Sequence, residues 1–382
     1  MAQNYILGTN AQNNISEGDT HTGALFNTLA QLGTGLDRET ESSGEHAPND
    51  AFTVSPITRK EHTRTLEKRA QSKYFTHALG LGLLKACRGS GSCANGYRRT
   101  LQCSGEIHVM PDGRAVSNYC KNRWCIVCNR IRTAVTIKKY SPILSTWSDA
   151  YFVTLTVRNV TGNELGRAVS DMVSTFQKIA GTLKKRAQRG KGAKFVGVRK
   201  FECTANAGRD DYHPHFHIIV RGEANAHALR RAWLNANLGY ARSVAQDVRK
   251  ADVNKSIELF KYVSKLVVKI EGGSARGVYA DMQNVIFESI RGIRTLQSFG
   301  FKLPTIHDGE VQDQGDSQIN AGARDGLFLY DHSCANWGEI ETGELLLPQW
   351  QLPNGIQALA ENIIVRPNYR RNGNRAFATK YP

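Results

Sequence analysis

The stretch "DYHPHFHIIV", residues 211–220, decides how this chain is read. His213, His215 and His217 recur at every second position and run into an apolar tail. A period of two belongs to a β-strand, where residues i, i+2 and i+4 share a face. The three imidazoles therefore stand in a row, while Phe216, Ile218 and Val220 alternate with them. Two imidazoles at neighbouring same-face positions chelate one divalent ion. One such histidine is ordinarily a packed or surface residue, but a threefold alternation favours ligands. Upstream, "FVGVRKFECT" (195–204) reads as a strand and "ANAGRDD" (205–211) as a turn, which makes a hairpin. Glu202 then lies on the neighbouring strand and contributes an oxygen. An N/N/O set in an open geometry suits Mg²⁺ or Mn²⁺, with Zn²⁺ as the other option.

The flanks extend the pattern. "AYFVTLTVRNV" (150–160) alternates as a strand, with Thr154 and Thr156 on one side and Val153, Leu155 and Val157 on the other. A helical stretch follows at about 163–188 and closes in the basic turn "KKRAQRGKGAK" (184–194). Beyond the hairpin the sequence predicts a helix over 224–237, a strand over "YARSVAQDV" (240–248) and a helix over 254–270. This order predicts an α+β fold, an antiparallel sheet with helices packed on it.

On a helical wheel, "NKSIELFKYVSKLVVKI" (254–270) gathers Ile257, Leu259, Phe260, Val263, Leu266, Val267 and Ile270 on one arc. Glu258, Tyr262, Lys265 and Lys269 form a narrow stripe opposite. A phenol titrates near ~10 and is a poor nucleophile unless a lysine or a metal stabilises its phenolate. Glu258, one turn before Tyr262, is placed to take a proton from water. Alone, such a stripe is an ordinary amphipathic helix.

Cys103, Cys120, Cys125 and Cys128 follow the spacing C-x16-C-x4-C-x2-C. Four cysteines close a tetrahedral structural Zn²⁺ site, and C-x2-C is a standard element of one. Cys87 and Cys93 are near enough to replace Cys103, and His108 is an outside candidate. Arg123, Trp124 and Arg130 lie among these ligands, where they are placed to touch phosphate or stack on a base.

The chain has 382 residues and a formal charge of +16. Residues 1–60 carry 3 Lys/Arg against 7 Asp/Glu, and residues 308–382 carry 6 against 10. The middle therefore holds 41 against 17, an imbalance that points to a polyanion, most commonly nucleic acid. No segment reaches the ~18 apolar residues that span a bilayer, and the N-terminus lacks a signal-peptide pattern. A cytoplasmic location with reduced thiols follows as the expectation. The organisation expected is a largely disordered acidic segment at 1–60 and a basic helical, Cys-rich region at 61–145. A catalytic domain at 146–305 and a loop-rich extension at 306–382 complete it.

Three elements in order, "FVTLTVRN", "HPHFHII" and "ELFKYVSK", resemble the rolling-circle replication initiators (Rep proteins) of small plasmids, within the HUH endonuclease superfamily. The pair that names the superfamily is matched here by His215-Phe216-His217, with His213 as the extra histidine of the plasmid group. The resemblance covers roughly 97–270 and includes the cysteine/arginine region before the first motif. It implies an HUH/RRM-like catalytic domain in which His215 and His217, with Glu202, hold Mg²⁺ or Mn²⁺ against a scissile phosphate. Tyr262 would attack, leaving a 5′-phosphotyrosine link and a free 3′-OH. Lys265 would steady the phenolate or the transition-state charge, and Glu258 would activate water at termination. Thr154, Thr156, Arg158, Lys261 and Lys269, with Arg123 and Arg130, are the implied DNA contacts. The implied partners are single-stranded or hairpin origin DNA and a host helicase and polymerase. Two other readings stay open: an HUH-type transposase or relaxase, and a non-catalytic zinc-binding nucleic-acid adaptor in which Tyr262 stacks on a base.

Overall fold

The structure, a computed structural model, describes residues 59–111, 114–252, 266–270, 276–303, 317–318 and 326–366. The helices are α1 (Arg59–Ala86), α2 (Ala94–Leu101), α3 (Ile126–Leu144), α4 (Gly162–Gln188), α5 (Glu223–Ala236), α6 (Ala280–Ser289) and α7 (Asn354–Glu361). The strands are β1 (Glu106–Val109), β2 (Arg114–Ser117), β3 (Ala150–Thr156), β4 (Gly197–Asn206), β5 (Asp211–Arg221), β6 (Asp247–Lys250), β7 (Val268–Lys269) and β8 (Arg276–Tyr279). They continue with β9 (Leu296–Phe299), β10 (Ser317–Gln318), β11 (Gly326–Asp331), β12 (Asn336–Glu339) and β13 (Ile363–Ile364).

The central sheet runs in the order β6-β3-β5-β4-β9, antiparallel throughout. Its middle is the predicted hairpin. β4 and β5 pair from Gly197↔Val220 to Asn206↔Asp211, and Asp210 adopts φ +51° in the turn. Asn206 Oδ1 accepts the Arg209 backbone N–H at 3.1 Å and fixes that turn.

The two faces of the sheet differ. Val153 and Leu155 of β3, Phe201 and Cys203 of β4, and Phe216, Ile218 and Val220 of β5 belong to the main core. α4 covers them with Leu165, Val169, Met172, Phe176, Ile179 and Leu183, spaced three and four apart. Its N-terminus is set by Glu164, whose carboxylate accepts the Thr161 backbone N–H at 3.1 Å. α5 adds Trp233, fully buried, which donates Nε1–H to Thr156 O at 2.9 Å. On the opposite face, Tyr140 and Leu144 of α3, with Trp147, cover Val198 and Ile219. That cluster stops short of the histidines, so one half of the face is apolar and the other half polar.

The remaining strands show where tertiary pairing overrides local pattern. The segment 240–248, expected as one strand, divides into a 3₁₀ turn at Ser243–Ala245 and the strand Asp247–Lys250. The helix expected over 254–270 does not reach its predicted end: Leu266 and Val267 are not helical, and Val268–Lys269 pair with β8. The extension after 306 is also more ordered than expected. β11 pairs antiparallel with β1 inside the sheet β10-β2-β1-β11-β12, and β13 runs parallel to β8. Trp337 on β12 is fully buried and donates Nε1–H to Ser104 O at 3.1 Å. Single aromatics recruited by distant strands leave little period-two signal. No helix among the described residues is long and apolar enough to cross a membrane.

Candidate metal centre

His213, His215 and His217 share the less covered face of β5, as their spacing predicts, and β4 sets Glu202 opposite His215 and Lys200 opposite His217. One ligand atom each from Glu202, His215 and His217 gathers within 4.8 Å. Glu202 Oε2 is 3.7 Å from His215 Nε2 and 3.5 Å from His217 Nε2. His213 stays outside this group. Its ring is 5.0 Å from that of His215, and burial lowers its pKa, with the charge of His215 adding to the effect.

The imidazoles are oriented by their other nitrogens. His215 Nδ1 lies 3.0 Å from His213 O, a group that only accepts, so Nδ1 carries the proton and Nε2 keeps its lone pair. His217 Nδ1 lies 3.3 Å from Thr154 Oγ1. Thr154 thus touches a candidate ligand, and Thr156 is buried beside it, its backbone N–H donating to Gln246 Oε1 at 2.8 Å.

Lys200 joins the site from below, a residue that the sequence pattern did not single out. Its ammonium is 2.7 Å from Glu202 Oε1, with the Lys200 side chain 4% exposed and that of Glu202 25%. Burial pushes the Glu202 carboxyl up, but the Lys200 charge and the facing imidazoles outweigh it and hold the group well below the usual carboxylate range. Glu202 is therefore ionised, with one oxygen on Lys200 and the other turned to the histidines. A carboxylate oxygen and two imidazole nitrogens at a partly open position fit a divalent cation.

Tyr262, Glu258, Lys265 and Lys261 lie outside the described residues. Lys269, expected on the same helical stripe, belongs instead to β7. Arg158 is exposed at the end of β3; its guanidinium sits 4.5 Å from the Tyr240 ring centroid.

The second cluster is of another kind. Cys103, Cys120, Cys125 and Cys128 are all buried, and their sulfurs lie within the same 4.8 Å limit. Cys103–Cys128, Cys103–Cys125 and Cys120–Cys128 are 3.4, 3.5 and 3.7 Å apart. A tetrahedron with Zn–S near 2.3 Å implies about 3.8 Å between sulfurs, so the set fits zinc. Backbone N–H groups of Lys121 and Cys128 point at Cys128 Sγ and Cys125 Sγ at 3.2 and 3.4 Å. Lys121 turns the chain with φ +56°. Burial pushes the Cys125 thiol up, whereas hydrogen bonding with Cys103 pulls the Cys120 and Cys128 thiols down, so the cluster divides between thiol and thiolate character. Cys103 is thus the fourth member. Cys93 packs in the main core, Cys87 donates to Leu84 O, and His108 sits on β1 facing Val116 and Leu327.

The aromatic and basic residues among these cysteines are committed within the protein. Arg123 donates to Ile293 O at 2.6 Å and Ile290 O at 3.3 Å, just beyond the end of α6. Trp124 donates to Thr100 Oγ1 at 2.9 Å and meets Tyr97 edge-on at 4.9 Å. Arg130 reaches Ser72 Oγ at 3.3 Å. The C-x4-C segment and the start of α3 thereby clamp α2, α6 and α1 together.

Comparison with known proteins places the metal centre in context. Residues 114–225 match the model of a family described as "Replication protein". That span holds β3, the β4–β5 hairpin, Glu202 and both histidines, and it ends before Tyr262. The chain is similar to "Protein rep" of Bacillus amyloliquefaciens, 25% identical over 283 residues, which are 65% of this chain and 77% of that protein. It is also similar to "Protein rep" of Staphylococcus aureus, 34% identical over 109 residues, 27% of this chain and 45% of that protein. "Protein rep" of Streptococcus pneumoniae is 34% identical over 113 residues, with shares of 27% and 32%. No solved structure matches.

Proposed function

We propose that this chain, which carries a replication-protein domain of the plasmid initiator kind, is a metal-dependent single-strand endonuclease that nicks and rejoins origin DNA. The observation that carries the reading is the convergence of Glu202, His215 and His217 on one sheet face, inside the span matched to the replication family. A Mg²⁺ or Mn²⁺ bound there supplies Lewis-acid polarisation of the scissile phosphate. His215 presents an Nε2 lone pair because its Nδ1–H is held by His213 O, His217 is oriented by Thr154 Oγ1 at its Nδ1, and Lys200 keeps Glu202 ionised.

The nucleophile of this proposal is Tyr262, whose hydroxyl attacks phosphorus, expels the 3′-oxygen and leaves a 5′-phosphotyrosine. Lys265 would lower the phenol pKa and Glu258 would activate water at termination. Both roles rest on the resemblance. Thr154, Thr156, Arg158, Lys261 and Lys269 are proposed as contacts to the strand, a host polymerase as the enzyme that extends the free 3′-OH, and a host helicase as a further partner. Zn²⁺ at Cys103, Cys120, Cys125 and Cys128 is proposed as structural.

The test is incubation of purified protein with end-labelled single-stranded origin DNA and Mn²⁺. A covalent adduct mapping to Tyr262 is expected, lost in Tyr262→Phe while DNA binding persists. Binding without any adduct across metals and candidate origins would make the chain a nucleic-acid adaptor instead.

A further inference from the structure

A second surface lies at the other side of the sheet. A groove of about 750 Å³ runs between the C-terminal half of α4 and the chain that leaves β9. Phe195 and Phe299 stack in it at 4.7 Å and 23°, and Phe301, edge-on to Trp147, closes one end. Phe299 and Phe301 are half-buried, so part of each ring faces the opening. The helical wall is kept low by Ala180, Gly181 and Ala187, and a side chain added at Gly181 would meet nothing within 4 Å.

The rim is cationic. Lys184, Lys194 and Lys302 line it, and Lys185, Arg186, Arg189 and Lys191 lie on the same turn; all seven are exposed. No Asp or Glu occurs between Asp171 and Glu202, nor between Glu288 and Asp308, so both walls lack internal counter-charge. An aromatic floor with a cationic rim is the surface on which unpaired bases stack while lysines follow the phosphates. A duplex, whose bases are already stacked on one another, cannot use the floor.

We infer that this groove is a second binding site for single-stranded DNA, separate from the Glu202–His215–His217 centre. It rests on the reading that DNA is the substrate and adds a path for the strand beyond the scissile phosphate. Phe299 is opposite Gly197, three residues along β4 from Lys200, which faces His217. That is roughly 10 Å along the strand and roughly 10 Å across two strand spacings. The groove is on the opposite face, so passing the edge adds roughly another 10 Å, and about seven stacked nucleotides cover the resulting path of roughly 24 Å at ~3.4 Å each. A strand held at the metal centre therefore reaches the groove around the β9 edge.

The test measures anisotropy of labelled 16-nucleotide oligo(dT) on the full chain without divalent cation, so it does not depend on cleavage or on the origin sequence. Lys184→Glu/Lys194→Glu/Lys302→Glu is expected to weaken binding at least ten-fold near 0.1 M salt. The slope of log K against log salt should become shallower by about 2, since each single-strand phosphate contact contributes ~0.7. Phe299→Leu, which keeps the packing apolar, should weaken binding about five-fold, whereas duplex of the same length should not respond to Phe299→Leu. A photo-cross-link from 5-iododeoxyuridine should map to Phe299 or Phe301. The inference is overturned by an unchanged slope, by cross-links only elsewhere, or by an equal loss in the control Lys85→Glu/Arg99→Glu/Arg231→Glu. Loss of the Tyr262 adduct with the groove result intact would instead overturn the cleavage chemistry alone.

Discussion

The two clusters of metal-ligating side chains are built to opposite plans. The cysteines are buried and enclosed, held by a helix start at Cys125 and by a left-handed turn at Lys121. Glu202, His215 and His217 stand on a sheet, with the His217 and Glu202 side chains each 25% exposed. Each has a buried lysine beside it. Lys73 donates to Leu101 O at 2.6 Å near Cys103, Cys120 and Cys125, whereas Lys200 pairs directly with a ligand. A closed, soft donor set holds a structure together, and an open set of borderline nitrogen and hard oxygen donors leaves room for a substrate oxygen. The contrast teaches that burial and access, more than ligand count, divide the labour.

The largest way to break this contrast is Cys125→Ser. Metal binding to such a site is coupled to folding, so loss of one ligand should release zinc and cost several kcal/mol of stability. Elemental analysis should fall from one zinc per chain toward zero, with a Tm drop of more than about 10 °C. His217→Ala should do the reverse, lowering Mn²⁺-dependent nicking at least ~100-fold, with zinc retained and Tm shifted by only a few degrees. Equal thermal damage from both variants would erase the distinction.

Lys200→Met sharpens it further. Removing one partner of a buried pair strands the other charge, and with partial exposure of Glu202 the cost in metal-free protein should be about 2–3 kcal/mol. Added Mn²⁺ should then raise Tm more in the variant than in the parent, because the cation replaces the lost ammonium. A smaller Mn²⁺ response in the variant would contradict the role given to Lys200.

The smallest effect concerns acid. Burial and the facing His332 and Lys73 lower the His77 pKa to about 4. Below its unfolded value near 6.5 the unfolded chain binds the extra proton, so stability falls as pH drops from 6.5 toward 4. His77→Gln should flatten that part of a pH–Tm profile by roughly 5 °C at most, after discounting for the partial exposure of the ring.

How far the sequence could be read follows from which interactions are local. The hairpin, the face shared by the histidines and the threonines of β3 are consequences of period-two alternation, and all appear in the structure. The cysteine set, Cys103 included, was legible in spacing, and packing sets aside Cys87 and Cys93 as its replacements. Lys200 was invisible as a site residue, since a lysine two positions before a glutamate in a strand is unremarkable until its partner strand adds histidines opposite. Arg123 and Trp124 looked like nucleic-acid contacts because composition does not reveal that their polar atoms are used on Ile293 O and Thr100 Oγ1. β11 was missed because it pairs with β1, over 200 residues away, and β12 because it is held in the same sheet only through β11.

The most direct test strips the open site and leaves the closed one. Protein washed with EDTA and desalted is assayed for nicking of single-stranded origin DNA, with zinc counted on the same sample. The account predicts no cleavage, close to one zinc per chain, and full recovery on adding Mn²⁺ alone. Cleavage that survives the wash, or that returns only when zinc is restored, would contradict it.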